Sequence, residues 1–272
     1  MNVDRSFIIV EGIRTHVAES GSGASLVLVH GLGGPLMWQR VIEPLASHFH
    51  VIVIDLPGWG ESDCPPRPYS TGMYADFLVR LLDHLDVQKA WFVGISHGGQ
   101  IAATVAGRNP EKAERLVLIC STGLSGQSRL FGSKNFWPIF SVVAKYTVLR
   151  NQSLMCMLAR RSFYDIRSRP PGLCEEFFRQ LSRAGKREAW LNGLRNVYFP
   201  DDTFRENLSR IRVPTLILWG ENDRTVPIDA AWQFHRNITN STLKSFPECG
   251  HSVPLEKPKE LLEAVVEFSQ FK

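Results

Sequence analysis

The stretch Ala90-Trp-Phe-Val-Gly94-Ile-Ser96-His-Gly98-Gly-Gln100-Ile-Ala-Ala-Thr-Val-Ala-Gly107 decides the fold. An apolar run enters a Gly-x-Ser-x-Gly pentapeptide and a helix-compatible run leaves it. A serine squeezed between a strand and a helix is forced into a strained backbone conformation, with its hydroxyl at the tip of a sharp turn. Glycine stands on both sides because a Cβ there would collide where helix and strand approach. The pentapeptide alone also fits a glycine-rich turn with an idle serine, so its reading depends on the rest of the chain.

Outward from this stretch, strand-like runs recur at Phe7–Val10, Thr15–Glu19, Leu26–His30, Val51–Asp55, Leu116–Cys120, Thr215–Trp219 and Leu243–Phe246. Glu11-Gly12 joins the first two as a hairpin-like turn. From Leu26 onward most runs are continuously apolar, the mark of strands buried on both faces of a parallel sheet. Helix-compatible stretches alternate with them at Met37–Ala46, Met73–Leu85, Gln100–Arg108, Ala230–Arg236 and Lys259–Phe271. The pattern predicts an α/β fold, a doubly wound, mostly parallel sheet of eight strands after an antiparallel start.

One segment breaks the alternation. Residues 122–212 hold no convincing buried strand but several aromatic, methionine-rich and basic stretches, split by Pro170-Pro171-Gly172. This predicts a helical cap inserted over the carboxyl ends of the strands, where open α/β sheets bind ligands. Residues 1–121 and 213–272 then form the core. The net charge of +4 is unevenly spread: residues 124–212 carry 16 Lys+Arg against 7 Asp+Glu, the remainder 15 against 20. So modest a total does not point to nucleic acid. No apolar stretch is long enough for a membrane span, and the N-terminus shows no secretion signal. Five scattered cysteines without a Cys-x-x-Cys argue against a disulfide framework or zinc knuckle and fit a reducing cytosol, so a cytoplasmic location is expected. His48 and His50 lack a third ligand of suitable spacing, and no metal is expected.

A serine hydroxyl needs a base to take its proton during attack. Histidine suits that task, and a carboxylate must hold its tautomer and stabilise the imidazolium. Asp223 follows the Thr215–Gly220 run, and His251 follows the last strand in Gly250-His-Ser-Val-Pro254. The order Ser96, Asp223, His251 is the one expected when a strand–serine–helix elbow carries the nucleophile. Glu221 is the fallback acid. The tetrahedral oxyanion needs backbone N–H donors: that of His97, and one from His30-Gly31-Leu32-Gly33-Gly34, with Leu32 first choice and Gly33 second. His30 should brace this loop, and the side chain of His97 should be incidental. Asp55–Ser62 reads as a structural Pro-Gly turn in which Trp59 could line a pocket. Phe136, Trp137, Phe140, Met155 and Met157 are further candidate pocket walls.

His30-Gly31, Asp55-x-Pro-Gly-x-Gly-x-Ser62, Gly94-x-Ser-x-Gly98, Gly220-x-x-Asp223-x-x-x-Pro227 and Gly250-His251 together resemble the motif series of the α/β-hydrolase superfamily, from about Phe7 to the C-terminus. The resemblance implies a serine hydrolase needing neither metal nor cofactor, with its cap in the middle segment. Serine at 96 separates the chain from relatives that use an aspartate nucleophile. Meta-cleavage-product hydrolases, which cut carbon–carbon bonds, also resemble it, but they typically carry Asn before the serine and Trp after the histidine. Here those positions are Ile95 and Ser252, although Arg195 could stand for their cap arginine. The expected activity is hydrolysis of carboxylic esters with an apolar acyl or aryl group through an acyl-enzyme. The alternatives are carbon–carbon hydrolysis, cleavage of acyl-carrier-protein esters, and a hydrolase-like ligand receptor. The expected partner is a small ester. An acidic carrier protein docking on the cap's Arg150, Arg160, Arg161, Arg167, Arg169, Arg179, Arg183, Lys186, Arg187 and Arg195 is the further possibility.

Overall fold

The computed structural model describes residues 3–124, 136–201 and 203–270. Phe271, the expected end of the last helix, lies outside them. Eight strands form one sheet: β1 (Asp4–Val10), β2 (Ile13–Ser20), β3 (Ser25–Val29), β4 (His50–Ile54), β5 (Ala90–Ile95), β6 (Ala113–Ile119), β7 (Thr215–Gly220) and β8 (Ser241–Phe246). Their order is β1-β2-β4-β3-β5-β6-β7-β8. β1 with β2 and β2 with β4 are antiparallel, and every later pairing is parallel. Glu11 and Gly12 both have positive φ, 51° and 75°, as a tight hairpin turn between twisted strands requires.

The side-chain pattern explains the layering. β5 and β7 are buried along their whole length, because helices cover both faces. The edge strands β1 and β8 alternate between inside and outside. The core helices are α1 (Ile42–Ala46), α2 (Thr71–His84) and α3 (His97–Arg108) before the insertion. Ser70 caps α2, its hydroxyl oxygen accepting from Met73 N at 3.1 Å. α3 buries eleven of its twelve residues. Its small residues admit close neighbours: a Cβ on Gly107 would stand 2.4 Å from the carbonyl of Asn207.

The inserted segment forms α4 (Trp137–Tyr146), α5 (Gln152–Ala159), α6 (Leu173–Leu181), α7 (Lys186–Tyr198) and α8 (Phe204–Arg210). Four of these make the cap, with a small core of Ala144, Leu149, Met155, Leu181 and Leu191. α8 behaves differently: Phe204, Leu208 and Ile211 pack into the main core. The helical cap proper therefore ends before α8, short of the boundary at 212 drawn from the loss of strand pattern, because α8 is amphipathic and α3 offers it a flat face of small residues. The chain then returns through β7, α9 (Asp229–Asn237), β8, α10 (Val253–Glu256) and α11 (Pro258–Gln270).

The expectation of unpaired cysteines is corrected here. Cys156 on α5 and Cys174 on α6 form a disulfide across 18 residues of sequence. The turns between the two helices fold the chain back on itself, a proximity that spacing does not reveal. Cys64, Cys120 and Cys249 are free. The argument for a reducing compartment from scattered cysteines without a disulfide framework is weakened by this pair.

Candidate active site

Ser96 stands where β5 ends and α3 begins, with φ 56° and ψ −122°. A non-glycine residue there costs on the order of 1–3 kcal/mol and persists only where its surroundings over-determine it. They do so here. Ser96 N–H donates to Ile119 O, and Ser96 O accepts from Gly99, Gln100 and Thr122. A Cβ on Gly94 would meet the Gly98 carbonyl at 2.4 Å, and one on Gly98 would meet Val29 O at 2.1 Å. Both glycines of the pentapeptide are therefore required by sterics.

The acid and the base come together from the ends of β7 and β8. His251 Nδ1–H donates to Asp223 Oδ2 at 2.7 Å. Asp223 Oδ1 accepts from Thr225 N at 2.7 Å and Val226 N at 2.9 Å. The carboxylate is thus held on both oxygens, and the imidazole presents Nε2 away from it. Glu221, the fallback acid, is exposed and accepts from Ser245 Oγ at 2.8 Å; it does not reach His251. Gly220 and Gly250 let the two loops touch, since a Cβ on Gly220 would stand 2.1 Å from Gly250 O. Ser96 Oγ makes no hydrogen bond among the described residues. Catalytic contacts of this kind commonly tighten only with substrate in place.

Cys120, at the tip of β6, is a neighbour that sequence reading passed over. It has φ 44°, and its Sγ, an Asp223 oxygen and a His251 ring nitrogen lie within 4.8 Å of one another. Burial, reinforced by the nearby Asp223, pushes the thiol well up. A neutral thiol beside an Asp–His pair already bonded to each other suits packing better than metal ligation.

The loop opposite the serine is built for close approach. A Cβ on Gly31 would stand 2.8 Å from Ser96 Cβ and 3.3 Å from His97 N. Neither Leu32 N–H nor His97 N–H donates to a protein acceptor among the described residues. His30 braces this loop: its Nε2 accepts from Leu56 N at 3.2 Å, and Nδ1–H donates to Gly31 O at 2.9 Å. Burial lowers its pKa to about 4, so the ring stays neutral and keeps this donor–acceptor pattern. The His97 ring is likewise buried, its pKa lowered to about 3 by desolvation. It lies beneath α7, 5.9 Å from the Tyr74 ring.

The cap meets this loop through α7. Trp190 Nε1–H donates to Leu32 O at 3.2 Å. A Cβ on Gly193 would meet Leu32 Cδ2 at 2.6 Å. Lys186 is buried, donating to Trp59 O at 3.1 Å and Ser62 O at 2.5 Å. Asn196 Nδ2 donates to Tyr69 O at 2.6 Å. A second attachment grips the histidine loop. Glu256 accepts from Gly250 N at 3.0 Å on one oxygen and from Tyr164 N at 2.7 Å on the other, while Ser252 N donates to Ser162 O. Trp190, Asn196 and Glu256 were not singled out in the sequence, and Lys186 was read there as a docking residue instead; a lone glycine in a helix flanked by Trp190 was the available signal.

The pocket candidates separate. Trp59 is buried against the His30 ring, 5.2 Å away, and donates to Tyr74 OH. Trp137 is buried beside Phe140 and Phe199, and Met155 lies in the cap's own core. Phe136 and Met157 are exposed. The five cap residues therefore do not line one wall, because helical periodicity sends them to different faces. The basic set separates too: Lys186 is internal, Arg183 pairs with Glu61, Arg179 with Glu176 and Arg167 with Asp165. Arg195 is exposed on α7.

The α/β-hydrolase-fold family profile matches residues 24–258. The chain belongs to the α/β-hydrolase family. It is 30% identical to the uncharacterized hydrolase YugF of Bacillus subtilis (strain 168), over 90% of this chain and 89% of that one. It is 31% identical to the 2-hydroxy-6-oxononadienedioate/2-hydroxy-6-oxononatrienedioate hydrolase of Escherichia coli (strain K12), covering 94% and 91%. Among solved structures, a bacterial membrane phospholipase A superposes with a TM-score of 0.83 at 25% identity, covering 98% of this chain and 86% of that one. The chain is a hydrolase, and among its described residues no helix is long and apolar enough to cross a membrane.

Proposed function

We propose that this α/β hydrolase cleaves carboxylic esters through an acyl-enzyme on Ser96. The observation that carries the reading is the Asp223–His251 pair beside Cys120, just past the strand end whose Ile119 O holds the strained Ser96, with two backbone N–H groups that donate to no acceptor among the described residues. Ser96 Oγ attacks the carbonyl while His251 Nε2 takes its proton, and Leu32 N–H and His97 N–H receive the oxyanion. His251 then returns the proton to the leaving alcohol, and water repeats the cycle on the acyl group. The likeness to a phospholipase supports ester chemistry.

Carbon–carbon hydrolysis is the second reading, favoured by the E. coli relative. Such a reaction must stabilise a carbanion-like leaving group, which calls for polar groups gripping the far end of the substrate. Ile95 and Ser252 flank the reacting residues here, and Arg195 is exposed. An ester's leaving alcohol needs only a proton, so these residues favour the ester. An assay of a short p-nitrophenyl ester beside a 2-hydroxy-6-oxo-dienoate separates the two. Ester turnover should exceed dienoate turnover, and the reverse order would overturn the assignment. Docking of an acidic carrier protein on the cap is weakened by the arginines already paired within this chain.

A further inference from the structure

Eleven large apolar side chains are exposed among the described residues, and eight of them lie between Phe136 and Tyr164. On α4, Ile139, Val142, Val143 and Tyr146 recur at i, i+3, i+4 and i+7, each more than half exposed. That spacing puts them in one stripe along the solvent side of the helix. Met157 and Leu158 on α5 are exposed as well. A surface helix of an ordinary domain turns its apolar stripe inward and its polar residues out. Here the inward side is also apolar, with Trp137 and Ala144 buried, so α4 has two apolar faces, of which the described residues cover only one.

Along this stretch of sequence the charge is of one sign. No Asp or Glu occurs between Glu114 and Asp165, whereas Lys145, Arg150, Arg160 and Arg161 fall in that reach. The Arg150 guanidinium lies 5.7 Å from the Tyr146 ring centroid and Lys145 Nζ 5.5 Å. Lys145 pairs with Glu188 on α7. Arg150, Arg160 and Arg161 are exposed, and no ion pair is recorded for them among the described residues.

We propose that this face of the cap docks on an anionic lipid surface, α4 lying in the headgroup layer with its stripe toward the acyl chains. The exposed aliphatic side chains need a hydrocarbon phase, and Arg150, which lies against Tyr146 at the end of the stripe, needs an anion. A lipid interface offers both within the depth of one helix. α4 has ten residues, about 15 Å of helix, half a bilayer core; it lies on the surface and does not span it. An acidic protein would match the arginines but set Ile139, Val142 and Val143 against charge. A second copy meeting this face about a two-fold axis would set arginine against arginine.

The proposal goes beyond the hydrolytic reading and does not depend on Ser96. Co-sedimentation of the full chain with vesicles of phosphatidylglycerol and phosphatidylcholine in equal parts, against vesicles of phosphatidylcholine alone, tests it. Binding is expected to the first, to weaken on the second and to fall with added salt. Ile139→Asp with Val142→Asp should lower vesicle affinity about tenfold or more, leaving the circular dichroism and turnover of a soluble short ester unchanged, since both side chains project into solvent. Arg150→Glu with Arg160→Glu should cause a smaller loss that vanishes at high salt. No binding to anionic vesicles at low salt would overturn the proposal, as would binding indifferent to the two aspartates. So would a solution dimer that the aspartates dissolve, or capture of an acidic carrier protein in place of vesicles. Vesicle binding without ester turnover would leave this proposal standing and refute the catalytic reading alone.

Discussion

α3 buries eleven of its twelve residues and α4 two of its ten. The first follows Ser96 and the second opens the cap. α3 is wedged between the sheet and neighbouring helices, so its start is immobilised by contacts that leave no room even for a Cβ at Gly98. Among the described residues, α4 is buried along one side only. The rim of the sheet thus holds Ser96 in a strained conformation and the Asp223–His251 pair in a fixed hydrogen bond. The cap is fastened at a few points: Lys186, Trp190 and Asn196 on α7, and the 162–165 segment held by Glu256. On the proposed reading, chemistry depends on the rigid region, while access and surface contacts belong to the attached one.

If that division holds, variants at the rim should abolish turnover without unfolding, and variants at the fastenings should shift stability and KM first. Ser96→Ala should have the largest effect, a loss of roughly 10⁴-fold or more in kcat on a p-nitrophenyl ester, with an unchanged melting temperature. Retained turnover would remove the serine from the mechanism. Asp223→Asn should follow at about 10⁴-fold, since the amide can stabilise the wrong imidazole tautomer; a loss below tenfold would return the acid role to another residue. Lys186→Met keeps the buried stem but strips two carbonyls of their donor, which should cost about 2–4 kcal/mol in denaturant unfolding. An unchanged midpoint would mean the cap is fastened elsewhere.

Glu256→Gln should have the smallest effect, and a pH-dependent one. Burial raises the Glu256 carboxyl above its ordinary range, outweighing the backbone N–H groups that favour its ionised form. A carboxyl raised on folding binds its proton more tightly in the folded state. Its contribution is therefore fully present below the unfolded pKa and declines as pH rises through the folded one. Melting temperatures recorded from mildly acidic to neutral pH should accordingly fall more in the parent protein than in Glu256→Gln. Parallel curves would show that Glu256 is not the group responsible.

The difference between the two regions also governs what could be read without a structure. The parallel strands, the elbow at Ser96 and the order of Asp223 and His251 were legible because each is a local pattern: continuous apolar runs, a glycine pair, a residue just past a strand. The cap was legible only as an interruption. Its aromatic and methionine residues looked alike along the chain, yet Met155 faces the cap core and Met157 faces solvent. Lys186 looked like the surface arginines around it but is buried on two core carbonyls.

By itself the sequence determined the strand succession, the elbow at Ser96 and the positions of Asp223 and His251 just past strands, because burial on both faces of a sheet and a forced backbone turn leave signatures within a few positions. Only the tertiary structure decided where the cap ends, that Cys156 meets Cys174, that Trp190 and Glu256 fasten the cap to the loops bearing Leu32 and His251, and that α4 keeps an apolar face uncovered. These depend on which surfaces meet across long stretches of chain. The free energy of such contacts comes from shape and desolvation between distant segments, which no local periodicity records.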